Sequence, residues 1–411
     1  MIQHLKILVL TPGIYPDVHS GLPKLVYNMA YRMREMGHEI FILTRQYQSQ
    51  DSLKENYNGM NYYRIPIPKS GDFFHKLWPL ITPWKAFQRQ KEIAKEHGNF
   101  DIVWVHNPWW MAFYNLKKLW PQTQIFYDFH SDAYTELTYN HHHSFFSMMV
   151  GRLFDWLASY QMKKADKVVV HSHYTKEICR VLLGSHQSKI RIVNGGADPK
   201  IYYPIRSQEE LMSLRKALDL PFDKHILITA RGLKPRTGVD KLIQAVELLE
   251  GVDFFLLIIG RGVMQKEIEA LILSRELTNR MRLISDVSEE KLAQYYRAAD
   301  TFILPTQGAE GFGLATVEAL ASGLVVLGTN NSATPEILKL FNKKWIIAGC
   351  SPDAISNHLR LFFKHQKDMT LERNKIREIF LKNFSWEKAS KSFLDIYNES
   401  YSIHELQRIS A

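Results

Sequence analysis

The apolar residues of this chain fall into short runs, and between the runs they recur at every third or fourth position. Runs lie at 6–10, 40–43, 101–106, 124–129, 168–170 and 190–193, then again at 225–230, 254–259, 302–304 and 324–327. A few apolar residues closed by glycine, proline or charge suit a strand buried on both faces. Pro305 ends one such run and Gly328 another. The stretches at 22–36 and 314–322 instead favour helix by spacing or composition. Strands alternating with helices predict parallel βαβ units, whose ligands bind beyond the C-terminal ends of the strands. No internal repeat and no run of 18 apolar residues interrupts the alternation.

The stretch 301–338 contains one whole unit: strand, loop, helix, strand. Its loop, 305–313, falls at the mouth of a site. Gly311, Phe312 and Gly313 let the backbone come close to a ligand. They also aim free N–H groups at an anion from the N-terminus of the helix that Leu314 opens. Glu318 follows seven residues after Gly311, on the same helical face and ~10 Å further along the axis. A diphosphate at the helix tip leaves its ribose hydroxyls near that carboxylate. Leu314, Ala315, Val317, Ala319, Leu320 and Ala321 make the helix almost wholly apolar, so a carboxylate there needs a partner. A solvent-facing Glu318 beside a capped, glycine-rich turn is the alternative.

Together, Glu310, the turn Gly311-Phe312-Gly313-Leu314, Glu318 and Thr334-Pro335-Glu336 resemble the donor-site signature of family 4 glycosyltransferases (glycosyl transferases group 1) of the GT-B fold. The resemblance spans nearly the whole chain and is least at 45–98 and 131–160. It implies an α/β architecture: two Rossmann-like doubly wound parallel-sheet domains facing across a cleft. On that reading 1–200 is the acceptor-side domain, 201–384 the nucleotide-sugar domain, and 385–411 a helix crossing back to the first. Residues 199–206 read as the linker.

The same resemblance implies roles. Glu310 contacts the transferred sugar, and Glu318 holds the ribose. Gly21 lets the donor phosphates approach, although a plain turn also accounts for a lone glycine. His130, which follows the strand 124–129, stands beside the reacting sugar as a catalytic residue; without the resemblance it reads as a structural histidine. Arg231 and a base five residues on hold the diphosphate. Arg236 is that base if Thr237 is an insertion. Aligned back from Gly238 instead, Arg236 points away and Lys234 substitutes for it. Arg261 adds positive charge near the site. The implied reaction is retaining transfer from a nucleoside-diphosphate sugar to a saccharide or lipid-linked acceptor, with no cofactor and no metal. Backbone N–H groups and arginines meet the charge of the leaving group. The rivals are a sugar-nucleotide epimerase of the same fold and a catalytically silent membrane-surface protein.

Charge narrows the partners. The chain of 411 residues has 52 Lys+Arg against 42 Asp+Glu, a net +10, which suits nucleotide phosphates or an anionic membrane surface. No nucleic-acid-binding signature accompanies it, so nucleic acid ranks last. Two cysteines make neither a disulfide framework nor a zinc site, which fits a cytoplasmic protein, free or peripheral on the inner face of the membrane. His141, His142 and His143 adjoin one another, but neighbouring helical residues point apart and cannot ligate one ion from one face. At 73–91, Phe73, Phe74, Trp78 and Trp84 are interleaved with Lys76, Lys85 and Arg89, a pattern for a membrane interface or for a helix packed on the sheet. Further on, Phe146, Met149, Val150, Leu153, Leu157 and Tyr160 recur at helical spacing, a stripe that is more often core than a membrane contact.

Overall fold

The apolar runs become the strands of two sheets in the computed structural model, which describes residues 4–18, 20–48, 50–66, 78–108, 116–140 and 144–409. His141, His142 and His143 lie outside the described residues, as does the 73–77 part of the aromatic and basic stretch. The chain divides into two compact units. One comprises Met1–Tyr134, Met149–Gly195 and Trp386–Ala411; the other comprises Thr135–Met148 and Gly196–Ser385.

The first unit holds β1 (Lys6–Leu10), β2 (Glu39–Arg45), β3 (Lys54–Tyr57), β4 (Met60–Ile65), β5 (Ile102–Val105), β6 (Gln124–Phe129), β7 (Lys167–Val170) and β8 (Ile190–Ile192). Their order is β3-β4-β2-β1-β5-β6-β7-β8. Neighbours run parallel except β3 and β4, a hairpin turned by Asn58 and Gly59, both at positive φ. The second unit holds β9 (His225–Ala230), β10 (Phe254–Ile259), β11 (Met281–Ile284), β12 (Thr301–Leu304), β13 (Val325–Thr329) and β14 (Ile346–Ile347). All are parallel, in the order β11-β10-β9-β12-β13-β14. β1 and β5, like β9 and β12, are neighbours across which the winding reverses. Such a reversal leaves a crevice at the strands' C-terminal ends.

The helices that bear on the sites are α1 (Gly21–Glu35), α2 (Trp78–His97), α3 (Ala133–Asn140), α4 (Phe145–Lys164), α5 (His173–Leu183), α6 (Leu314–Ala321) and α7 (Trp386–Ile409). α7 packs within the first unit. Ser390 donates to the carbonyl of Met29 on α1 at 3.0 Å, and Phe393 sets its ring 4.5 Å from that of Trp104 on β5.

Residues 199–206, expected as the linker, fall within the second unit, where Tyr202 is wholly buried in the core and its hydroxyl donates to Glu289 at 3.1 Å. One expectation is corrected: the stripe on α4 is not core, for Phe146, Met149, Leu153 and Tyr160 are exposed. The cause is Gly151, where an added Cβ would stand 2.5 Å from the Tyr134 Cα. α4 therefore lies close against its unit along a face of small residues (Gly151, Ala158 and Ser159), and its large apolar side chains point outward.

Candidate active site

In the second unit the ladder between β9 and β12 covers only Thr301 with Leu227 and Phe302 with Ile228, so the two strands part toward their C-terminal ends. Arg231 leaves β9 into that gap. Its guanidinium donates to the Thr306 hydroxyl at 2.8 Å and to the Glu310 carboxylate at 2.6 Å, both on the loop after β12. Burial pulls Arg231 down from its ordinary pKa, and Glu310 opposes that pull. Its Nε has no partner among the described residues.

The next turn, Pro235–Thr237, ends in Gly238 at φ 71°. A Cβ at Gly238 would stand 2.0 Å from the Pro305 carbonyl, so only glycine lets the two loops meet. Arg236 then donates to the Ala309 carbonyl at 2.9 Å and lies 4.0 Å from the Glu310 carboxylate, while its own carbonyl accepts from the Gln307 N–H. Ala309 adopts φ 54°, a left-handed turn unusual for a residue with a side chain. Lys234 is half exposed, with its ammonium 4.0 Å from Glu136. Of the two alternatives, Arg236 rather than Lys234 stands with Arg231 at Glu310. Arg231, Lys234 and Arg236 face Glu136 and Glu310, three cations against two carboxylates, which leaves positive charge for an anion.

Arg261 does not add to it. Its side chain is exposed and pairs with Asp286 at 2.8 Å, so its charge is compensated. The neighbouring glycines serve the loop instead: a Cβ at Gly260 would meet the Arg231 carbonyl at 1.9 Å, and one at Gly262 the Leu233 carbonyl at 2.2 Å.

Gly313 caps α6 at φ 95° without any side-chain hydrogen bond, and a Cβ there would lie 3.9 Å from the Glu310 Cγ. The positive end of the helix thus lacks a side-chain cap beside Glu310. Phe312 turns inward, its ring 6.1 Å from that of Phe384, and Gly313 is buried with it while Gly311 is half-buried. Leu314 is half-buried against the core. Glu318 is buried, not solvent-facing. Burial raises the Tyr202 hydroxyl's pKa well above its usual value, and the nearby charge of Glu318 raises it further. Two contributors escaped the sequence reading. Glu136 and Tyr139 on α3 belong to this unit, and a Cβ at Gly308 would touch the Tyr139 ring at 3.0 Å. They lie in the stretch least like the family, which offered no signal for them.

In the first unit, His130 joins a cluster built from successive strand ends. His106 follows β5, Asp128 lies in β6 and His171 follows β7. His171 Nε2 is 2.7 Å from Asp128 Oδ1 and its Nδ1 is 2.8 Å from the Val193 carbonyl. Both partners can only accept, so both ring nitrogens donate and His171 is an imidazolium. Trp104 donates to Asp128 Oδ2 at 3.0 Å. His106 Nδ1 and His130 Nε2 lie 3.0 Å apart, and His106 Nε2 has no partner among the described residues. A buried N–H without an acceptor is rarer than a bare acceptor. The proton is therefore on His106 Nδ1, donated to His130 Nε2, and His130 carries its own on Nδ1. Burial holds His106 at about 3 and His130 at about 4, both neutral. Burial would push Asp128 up, but the charge and hydrogen bond of His171 at 2.7 Å outweigh it and hold its carboxyl well below the usual range.

His106, Asp128 and His130 offer donor atoms within 4.8 Å of one another, close enough to share an ion. Both oxygens of Asp128 are already engaged by His171 and Trp104. The sequence offered a hint of this cluster in histidines directly after the strands at 102–105 and 167–170, but the reading took up only His130. Gly21 is exposed and opens α1, with Ser20 extended before it.

Residues 19–201 match the Glycosyltransferase Family 4 family, and residues 213–379 match Glycosyl transferases group 1. The chain is similar to an uncharacterized glycosyltransferase of Methanocaldococcus jannaschii, 23% identical over 406 residues that cover 96% of this chain and 98% of that one. Among solved structures it resembles the sucrose-phosphate synthase of Thermosynechococcus elongatus, with a TM-score of 0.79 at 17% identity over 97% of this chain and 100% of the other. It also resembles Anabaena HepE in complex with UDP-glucose, with a TM-score of 0.73 at 15% identity over 97% and 100%. The structural likenesses establish the fold, the sequence matches take in both sheets, and the chain belongs to the group 1, family 4 glycosyltransferases of the GT-B fold.

Proposed function

We propose that the protein is a retaining glycosyltransferase that moves a sugar from a nucleoside-diphosphate sugar to a saccharide or lipid-linked acceptor without a metal. The observation that carries this is the convergence of Arg231 and Arg236 on Glu310, beside the uncapped N-terminus of α6. Fixed guanidinium and backbone N–H donors suit a diphosphate that gains charge as it leaves. Glu310 accepts hydrogen bonds from the sugar and orients it, and Glu318 holds the ribose. Neutral His130 takes part in the reaction itself, its tautomer fixed by His106. The UDP-glucose held by Anabaena HepE, which shares the fold, supports this class of donor.

Thermal-shift screening against a panel of nucleoside-diphosphate sugars tests the proposal. One of them should raise the unfolding midpoint, and Glu318→Ala should abolish that rise. Transfer should continue in EDTA. If no donor binds, the transferase reading falls. If the donor is interconverted with no acceptor present, the protein is an epimerase. Turnover lost in EDTA and restored by Mg²⁺ or Mn²⁺ removes the metal-free part.

A further inference from the structure

The exposed face of α4 has uniform chemistry. Phe145, Phe146, Met149, Leu153, Trp156 and Tyr160 are all between 43% and 78% exposed. From Phe146 onward they are spaced three and four apart, which lines them along one side of the helix. The other exposed positions of α4 are Arg152, Lys163 and Lys164, none of them acidic. On the neighbouring α5, Val181 is exposed too, and with Ile178, Leu182 and Trp156 it lines a shallow hollow of about 550 Å³ whose polar side is Asp132, Arg152 and Asp155. A contiguous apolar patch of this kind on a soluble-type surface marks a place where something docks.

The charges select the occupant. Asp155, the acidic residue of α4, turns inward and accepts from the N–H groups of Ala133 and Tyr134 at 2.7 and 3.1 Å. Glu177 on α5 is balanced by Arg180 at 2.9 Å. Arg152 shares the hollow with Asp132 and Asp155, while Lys163 and Lys164 are left without a carboxylate on their own face of α4. A second copy of the chain docking here would bring the same lysines, again without a carboxylate on their face, and like charges at one interface are unfavourable. A bilayer with anionic headgroups meets both halves of the pattern. Trp156 and Tyr160 suit the headgroup level, and the ammonium of Lys164 sits 4.2 Å over the Tyr160 ring with its stem along apolar surface.

We infer that this face of α4 docks on an anionic lipid surface, with its apolar side chains in the headgroup and acyl boundary and Arg152, Lys163 and Lys164 against the phosphates. The described part of α2 is the weaker candidate: of its aromatic and basic residues, Trp84 is exposed, while Arg89 pairs with Glu92. The inference does not depend on glycosyl transfer, since lipid binding is read without donor or turnover.

The test is flotation of the full chain with vesicles of phosphatidylcholine alone and of phosphatidylcholine mixed with phosphatidylglycerol. At roughly fivefold per cation, two to three cations should make the anionic vesicles bind about 25- to 125-fold more tightly, and salt should erase most of the difference. The triple variant M149S/L153S/W156S should lose at least about 10-fold in vesicle binding. Those side chains already face water, so its unfolding midpoint should not move. Three results overturn the inference: no flotation with anionic vesicles, equal flotation with both kinds, or wild-type flotation by the triple variant. Light scattering that finds a dimer, split by the same variant, would assign the face to self-association instead.

Discussion

Glu310 sits between two guanidiniums, and the distances rank them. Arg231 donates at 2.6 Å from a buried position, whereas Arg236 stands 4.0 Å off and spends one N–H on the Ala309 carbonyl. Arg236 is thus the more adjustable of the two and the freer to turn to an arriving diphosphate. Arg236→Ala should weaken nucleoside-diphosphate binding by roughly 1.5–3 kcal/mol, about 10- to 150-fold. Lys234→Ala should cost much less, because that side chain is half exposed and its ammonium stands 4.0 Å from Glu136. Calorimetry on both variants decides the matter, and a stronger loss in Lys234→Ala would reverse the assignment.

Between elements, the donor site depends on how closely the loop after β9 can press on the loop after β12. Gly238 sets that distance. Gly238→Ala places a methyl group 2.0 Å from the Pro305 carbonyl and also forces alanine to φ 71°. The left-handed backbone alone costs about 1–2 kcal/mol, and relieving the clash must move Arg236 with the turn. Gly37→Ala is the control, at φ 97° with nothing within 4 Å of the added Cβ. Both variants should lose stability in thermal unfolding, but only Gly238→Ala should also lose donor affinity. Equal affinities would mean that the turn does not position Arg236. Local patterns of this kind explain what could be read in advance. The strands, the glycine turn before α6 and the left-handed Gly323 after it are written in neighbouring residues. The hairpin of β3 and β4 was written there too, in Asn58-Gly59, and was overlooked. The direction of the α4 stripe was not, because it is set by a contact between Gly151 and Tyr134, far apart in sequence. Nor was the His106–Asp128–His171 arrangement, which exists only once β5, β6 and β7 lie side by side.

Across the whole molecule that buried cluster links folding to pH. A histidine held near 3 or 4 when folded, against about 6.5 when unfolded, takes up a proton first in the unfolded chain. Stability therefore falls as pH drops below about 6.5, and goes on falling toward those values. His38 and His225, both lowered by burial, push in the same direction. His171 has the opposite sign. Burial would lower it, but Asp128 raises it, so its contribution is complete below about pH 6.5 and fades as pH climbs through the raised value. Stability should thus peak near neutrality. Between pH 7 and pH 5 the loss should be on the order of 1–2 kcal/mol for His106, and less for His130, which is partly exposed. Urea unfolding of wild type and His106→Gln across that range isolates one ring: the variant starts less stable at pH 7, and its stability should decline less steeply toward pH 5. Parallel declines in the two proteins would mean that His106 is not held neutral by the fold, and the tautomer assigned to His130 would fall with it.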